Sequence, residues 1–143
     1  LIKAIGPKKR ARQLEQHRVT GNMNLTTPSI EELTQQLLAF RDARDWRQFH
    51  SLKDLILSLN LEAGELLELT QWKPEQQFEE EAQSEPMQSQ LREECADVLL
   101  YLLLVAERAG IDILDAAAKK IETNNKKYPV EKSRGTSAKY NKL

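Results

Sequence analysis

Almost every device that would staple a small secreted domain is missing from this chain of 143 residues. It has one cysteine, Cys95, so no disulfide can close within it, and such usage suits a reducing compartment. No apolar run approaches the roughly 20 residues needed to cross a bilayer. No secretory-signal pattern is visible either. The expected location is cytoplasmic, with no membrane partner. Neither sign of charge dominates: 21 Lys and Arg stand against 22 Asp and Glu, for a net charge of −1. Nothing therefore draws the whole chain toward nucleic acid, and no nucleic-acid partner is expected. Histidine is limited to His17 and His50, neither of them three residues after a glutamate. That excludes the Glu-x-x-His pairs of a di-iron carboxylate bundle. No stretch alternates apolar and polar residues long enough to argue for a strand.

What is present describes a globular helical protein. Hydrophobic residues make up 40% and charged residues 30%, enough for one domain with a core of its own. Residues 1–22 stand apart, with six basic side chains against Glu15 and no apolar period. We read them as an expression-derived or disordered basic leader ahead of a start at Met23. The sharper alternative is a nuclear-import or nucleic-acid arm, from Pro7-Lys8-Lys9-Arg10-Ala11-Arg12. Residues 23–128 read as helices, and 129–143 as a C-terminal tail without apolar period. Ser29 and Glu32 form a capping box ahead of Ile30, Leu33, Leu37 and Phe40, which predicts a first helix over about 29–44. Ser51 with Asp54 opens a second helix, running to about Gln71. The acidic stretch from Lys73 to Pro86 reads as a loop or frayed segment. A third helix spans about Met87 to Arg108 and stops at Gly110. Asp112 and Asp115 open a fourth, ended near Tyr128 by Pro129. The expected architecture is all-α, a four-helix bundle core with short connections.

Two acidic motifs carry the chemistry. Glu62-Ala63-Gly64-Glu65 lies on the second helix and Glu94-Cys95-Ala96-Asp97 on the third. In each, the carboxylates are three residues apart and share one helix face. One such pair alone is most simply a solvated surface. Here both pairs sit on helices that are apolar nearly all round, which predicts a central position. Four carboxylates converging there would repel one another unless they shared protons or a cation. A hard divalent ion with oxygen ligands, Mg²⁺ foremost, resolves the conflict. Cys95 reads as a small core residue. Gly64 lowers helix stability by roughly 1 kcal/mol relative to alanine, which suggests close approach by a neighbouring helix or a ligand.

Glu-x-x-Glu, a gap of 28 residues, then Glu-x-x-Asp resembles the signature of the MazG-like all-α nucleoside triphosphate pyrophosphohydrolases. The dCTP pyrophosphatase branch is the most similar. The resemblance runs from about Ser29 to Tyr140. It takes in Arg44-Asp45-Trp46-Arg47-Gln48-Phe49-His50, Gln71-Trp72-Lys73 and Asn124-Asn125-Lys126-Lys127-Tyr128-Pro129-Val130. It also includes Ser133-Arg134-Gly135 with Lys139-Tyr140. The resemblance implies cleavage between the α- and β-phosphates of a nucleoside triphosphate, releasing monophosphate and pyrophosphate, with dCTP favoured. It implies Glu62, Glu65, Glu94 and Asp97 as the catalytic metal ligands. Which of the four serves as general base stays open, with Glu65 our choice.

A base pocket is the second constellation. Trp46 and Trp72 are the only tryptophans, each at a helix edge, and aromatic faces stack on nucleobases for roughly 1–3 kcal/mol. His50 offers a ring nitrogen. Lys120, Asn124 and Tyr128, four apart, form one stripe on the fourth helix. Lys119 competes with Lys120 as the phosphate-facing lysine. Lys53, Lys132, Arg134 and Lys139 are further candidates for phosphate. The plainer reading is core for the tryptophans and solvated surface for the stripe. The resemblance favours Trp46, His50, Trp72, Asn124 and Tyr128 as substrate-binding.

Leucines pointing several ways around the third helix leave more apolar surface than four helices cover. A homotetramer built as a dimer of dimers is expected, with an obligate dimer as the fallback. The resemblance agrees, since family members pair their bundles. Two alternatives to a dCTP enzyme are weighed. One is a non-catalytic helical interaction module. The other is a related pyrophosphohydrolase acting on another nucleotide, such as phosphoribosyl-ATP, against which the paired tryptophans and the Lys-Tyr-Pro segment argue.

Overall fold

The computed structural model describes residues 27–142, and among these it is all-helical, with no strand. The leader 1–22 and its boundary at Met23 lie outside the described residues. Helix α1 spans Ile30–Asp42. Its capping box forms as the sequence requires: the Glu32 amide donates to Ser29 Oγ at 3.2 Å, and the Ser29 amide donates to Glu32 Oε2 at 2.7 Å. Past α1 the chain turns at Asp45, a non-glycine residue at φ 54°. Gln48 secures that turn by donating from Nε2 to the Asp45 carbonyl and to Asp45 Oδ2, at 3.0 and 2.7 Å. A 3₁₀ turn, Trp46–Phe49, follows. Helix α2, Leu52–Glu68, is capped by Ser51.

The acidic stretch expected as a loop contains a helix, α3, over Glu75–Glu81. It lacks an apolar period because it is not held by one. Gln76 and Gln77 bond Glu80 and Glu81 one turn on, and Lys73 pairs with Glu81 at 2.8 Å. Helix α4 spans Met87–Ala109 and ends at Gly110, whose φ of 67° is the left-handed stop that glycine adopts without strain. The Ile111 amide reaches back to the Ala106 carbonyl at 2.9 Å and closes that end. Helix α5, Ile113–Lys127, is capped by Asp112. The tail adds a short helix, α6, over Val130–Ser133, and a final 3₁₀ turn at Tyr140–Lys142. Tyr140 meets Tyr128 edge-on, ring centroids 6.0 Å apart.

Helices α2 and α4 form the main packed pair, and α1 lies against α4. Leu37, Leu55, Tyr101, Leu103 and Leu104 make the core, with Leu59, Leu99, Leu100 and Ile113 packed around it. Arg41, also buried, ties the ends of α1 and α4 together: Nη1 meets Glu107 Oε2 at 3.2 Å and Nε meets Asp42 Oδ1 at 2.7 Å.

Several expectations need correction. Within one chain α2 is not central: Leu55 is its one buried residue, while Ile56, Leu57, Leu61 and Leu67 are exposed. Cys95 is exposed rather than core, because α4 turns Glu94, Asp97, Val98 and Tyr101 inward and leaves positions 95 and 96 outside. A Cβ at Gly64 would meet nothing within 4 Å, so no neighbour in the chain requires that glycine. Helix α5 has no buried residue and reaches the core cluster through Ile113. No helix among the described residues is long and apolar enough to cross a membrane.

Candidate metal and nucleotide site

The α2–α4 pairing brings the two acidic motifs face to face. One carboxylate oxygen each of Glu62, Glu65 and Glu94 lies within 4.8 Å of the others, and all three side chains are half-buried. Asp97 falls outside that set but stands beside it. Burial raises the Glu62 carboxyl above its ordinary range, and the negative charge of Asp97 is the next cause, ahead of Glu65 and of Glu94. Opposing carboxylates in a partly dry crevice are an unfavourable arrangement for the protein alone. They fit a small hard cation, for which an all-oxygen donor set is the natural cage.

One turn below the acids lies a pair that sequence reasoning missed. Tyr101 follows Asp97 by four residues and Ser58 precedes Glu62 by four, so both continue the faces the acids occupy. Tyr101 is buried, its phenol meets the Ser58 hydroxyl, and its pKa is raised chiefly by burial and further by the charges of Glu62 and Asp97. The spacing was the available signal. Tyr101 was hidden in it by the apolar run that surrounds it.

The base-pocket candidates sit on different elements. Trp46, half-buried, contacts Phe40 edge-on with ring centroids 5.7 Å apart. Trp72 is 92% exposed in the turn after α2, at φ 64°. The whole of α2, 17 residues and so about 25 Å at helical rise, lies between these two segments. The two tryptophans thus lie beyond opposite ends of α2. His50 sits beside the buried Arg41. Burial first, and the Arg41 charge second, lower its pKa, and its buried Nδ1 has no hydrogen-bond partner. Lys120, Asn124 and Tyr128 do form one stripe, exposed along α5 and at its end.

The arrangement defines a class: an all-α protein with acidic pairs facing one another on two packed helices. The comparisons say which one. The MazG-like family model matches residues 57–143, more than half of the chain. The chain is 40% identical over 116 residues to dCTP pyrophosphatase 1 of Bos taurus, covering 81% of this chain and 69% of that protein. Against dCTP pyrophosphatase 1 of Homo sapiens the identity is 37%, covering 81% and 68%. Among solved structures, a pyrophosphatase from Archaeoglobus fulgidus superposes with a TM-score of 0.66 at 38% identity, covering 75% of this chain and 98% of that one. The chain belongs to the MazG-like family.

Proposed function

We propose that this protein is a nucleoside triphosphate pyrophosphohydrolase that favours dCTP and releases the monophosphate and pyrophosphate. The single observation that carries the reading is the carboxylate cluster of Glu62, Glu65 and Glu94, with Asp97 beside it, on a chain so similar to dCTP pyrophosphatases. The four acids would hold Mg²⁺, which neutralises the triphosphate and supplies an acidified water when bound. Glu65 is our choice to take the proton from the attacking water. Tyr101 and Ser58, hydrogen-bonded to each other, lie one helical turn from the acids. Trp46 and Trp72 stack on the base, His50 offers its unpartnered Nδ1, and Lys120, Asn124 and Tyr128 contact phosphate, sugar or base.

The separation of the tryptophans supports a pocket built from two chains. So does the uncovered apolar side of α2, with Ile56, Leu57, Leu61 and Leu67 exposed, and of α5, with Leu114 and Ile121 exposed. Such surface marks an interface, and closed symmetry is its usual solution. We read the assembly as a homotetramer, a dimer of dimers, in which paired α2 and α5 faces complete the four-helix core. Residues 23–128 are the catalytic unit and 129–143 a tail anchored through Tyr140. A lone free thiol and a nucleotide substrate support a cytoplasmic location.

The test is a panel of nucleoside triphosphates with Mg²⁺, with products separated by chromatography. Monophosphate and pyrophosphate, fastest from dCTP, are expected. Diphosphate and orthophosphate would place the cleavage at the wrong bond, and no turnover would leave a non-catalytic helical module.

A further inference from the structure

Arg44 stands one residue past the C-cap of α1 with a defined set of partners. Its guanidinium carbon lies 3.6 Å from the centre of the Phe40 ring and 5.5 Å from the Trp46 ring. Its Nη1 donates to the Phe40 carbonyl at 2.9 Å. Phe40 and Trp46 meet edge-on at 68°. Three side chains thus close a small ring of contacts at the protein surface. An exposed arginine loses much rotamer freedom when it is held so. The cation–π and hydrogen-bond contacts offset that loss, because the guanidinium carbon lies over the ring while Nη1 donates to a carbonyl. Immediately before Trp46, the left-handed turn at Asp45 is secured by Gln48, which fixes the backbone that carries the indole.

We propose that Arg44 and Phe40 are positioning residues for Trp46: they fix the indole in advance as a stacking platform for the nucleobase. The inference rests on the reading that Trp46 stacks on substrate. A platform already immobilised spares the substrate the loss of side-chain freedom on binding. The effect belongs to binding rather than to the chemical step, which occurs at the carboxylates of α2 and α4. Neither Arg44 nor Phe40 needs to touch the substrate.

The experiment measures KM and kcat for dCTP in Trp46→Ala, Arg44→Ala, Arg44→Lys, Phe40→Leu and the double variant Arg44→Ala/Phe40→Leu. Near-ultraviolet circular dichroism and fluorescence anisotropy of Trp46 are read without substrate in a Trp72→Phe background. Arg44→Ala and Phe40→Leu should each raise KM about three- to tenfold, the scale of one side chain's ordering. They should leave kcat within twofold and lower the Trp46 anisotropy. The double variant should be little worse than either single one. Arg44→Lys keeps the charge but not the flat stacked fork, and should recover little. Full recovery by lysine would mean that charge attraction for the triphosphate is the role, and would overturn the clamp. Unchanged KM in Arg44→Ala, with Trp46→Ala impaired, would also overturn it while leaving the stacking role of Trp46 intact. If Trp46→Ala itself binds dCTP normally, the reading of Trp46 fails instead, and the inference with it.

Discussion

The two sides of α2 have been assigned opposite fates from what hydropathy alone would give them. Toward α4 the helix turns Leu55, Leu59, Glu62 and Glu65, and toward solvent Ile56, Leu57, Leu61 and Leu67. Glu62 is half-buried, whereas Leu61, immediately before it, is 65% exposed. Burying acids while leaving leucines wet runs against both transfer preferences. The conflict is resolved if each side is completed from outside the chain, the inner one by a cation and the outer one by another apolar surface. One helix then couples metal binding to assembly.

The largest effect should come from breaking the inner side. Glu65→Ala or Asp97→Ala should lower the rate of pyrophosphate release from dCTP by about 100- to 1000-fold or more, the scale of losing one preorganised group around the reacting charge. Far-ultraviolet circular dichroism should keep its helical signal. Rates within a few-fold of wild type would remove the carboxylates from the chemistry and return them to a solvated face.

A second measurement compares leucines on the two sides. Leu55 is 2% exposed, so Leu55→Ala should lower unfolding free energy by about 2–5 kcal/mol. Leu61→Glu should do little to the fold of a single chain, yet it should shift light scattering from an oligomer toward the monomer mass of 16.4 kDa and take activity with it. A fully active protein at that mass would break the idea that the outer side is an interface and that the pocket is shared.

The same contrast separates what was legible in the sequence from what was not. Helix ends were legible because caps are local: Ser29, Ser51, Asp112 and Gly110 each act on backbone groups within a few residues. The acidic pairs were legible because their spacing equals one helical turn. The inward direction of a helix that is apolar nearly all round was not, since no polar side marks what faces solvent. Hence the sequence reads Cys95 as core and the outer leucines of α2 as interior, whereas both are exposed. Helix α3 is hidden for the opposite reason: side-chain pairs such as Gln76 with Glu80, Gln77 with Glu81 and Lys73 with Glu81 leave no apolar period to read. The placement of Trp46 and Trp72 beyond opposite ends of α2 follows from where that helix starts and stops.

Trp72 offers a smaller but sharper test. It is almost fully exposed, and it holds a left-handed φ that disfavours a bulky residue. Neither property stabilises a lone chain. Trp72→Ala should raise KM about fivefold or more by removing one stacking contact of about 1–3 kcal/mol. Trp72→Gly should raise it equally while leaving thermal stability unchanged or improved, because glycine accepts that φ. A glycine variant with normal KM would deny Trp72 a part in the base pocket.

The smallest expected effect concerns the acids without metal, and its sign is the informative part. The folded-state pKa of Glu62 is raised, by burial first and by Asp97 next. A group of that kind contributes its stability below its unfolded pKa and loses it as pH rises through the folded value. Above the folded pKa the ionised carboxylate therefore works against the metal-free fold. In EDTA above that pH, Glu62→Gln should raise Tm by a few degrees. The advantage should shrink as pH is lowered through the folded pKa, where wild type becomes neutral too. Millimolar Mg²⁺ should reverse the order, since the wild-type cluster gains binding free energy that the amide variant forfeits. A Gln variant already less stable than wild type in EDTA would mean that Glu62 is held by protein contacts, and that the cluster needs no cation to be tolerated.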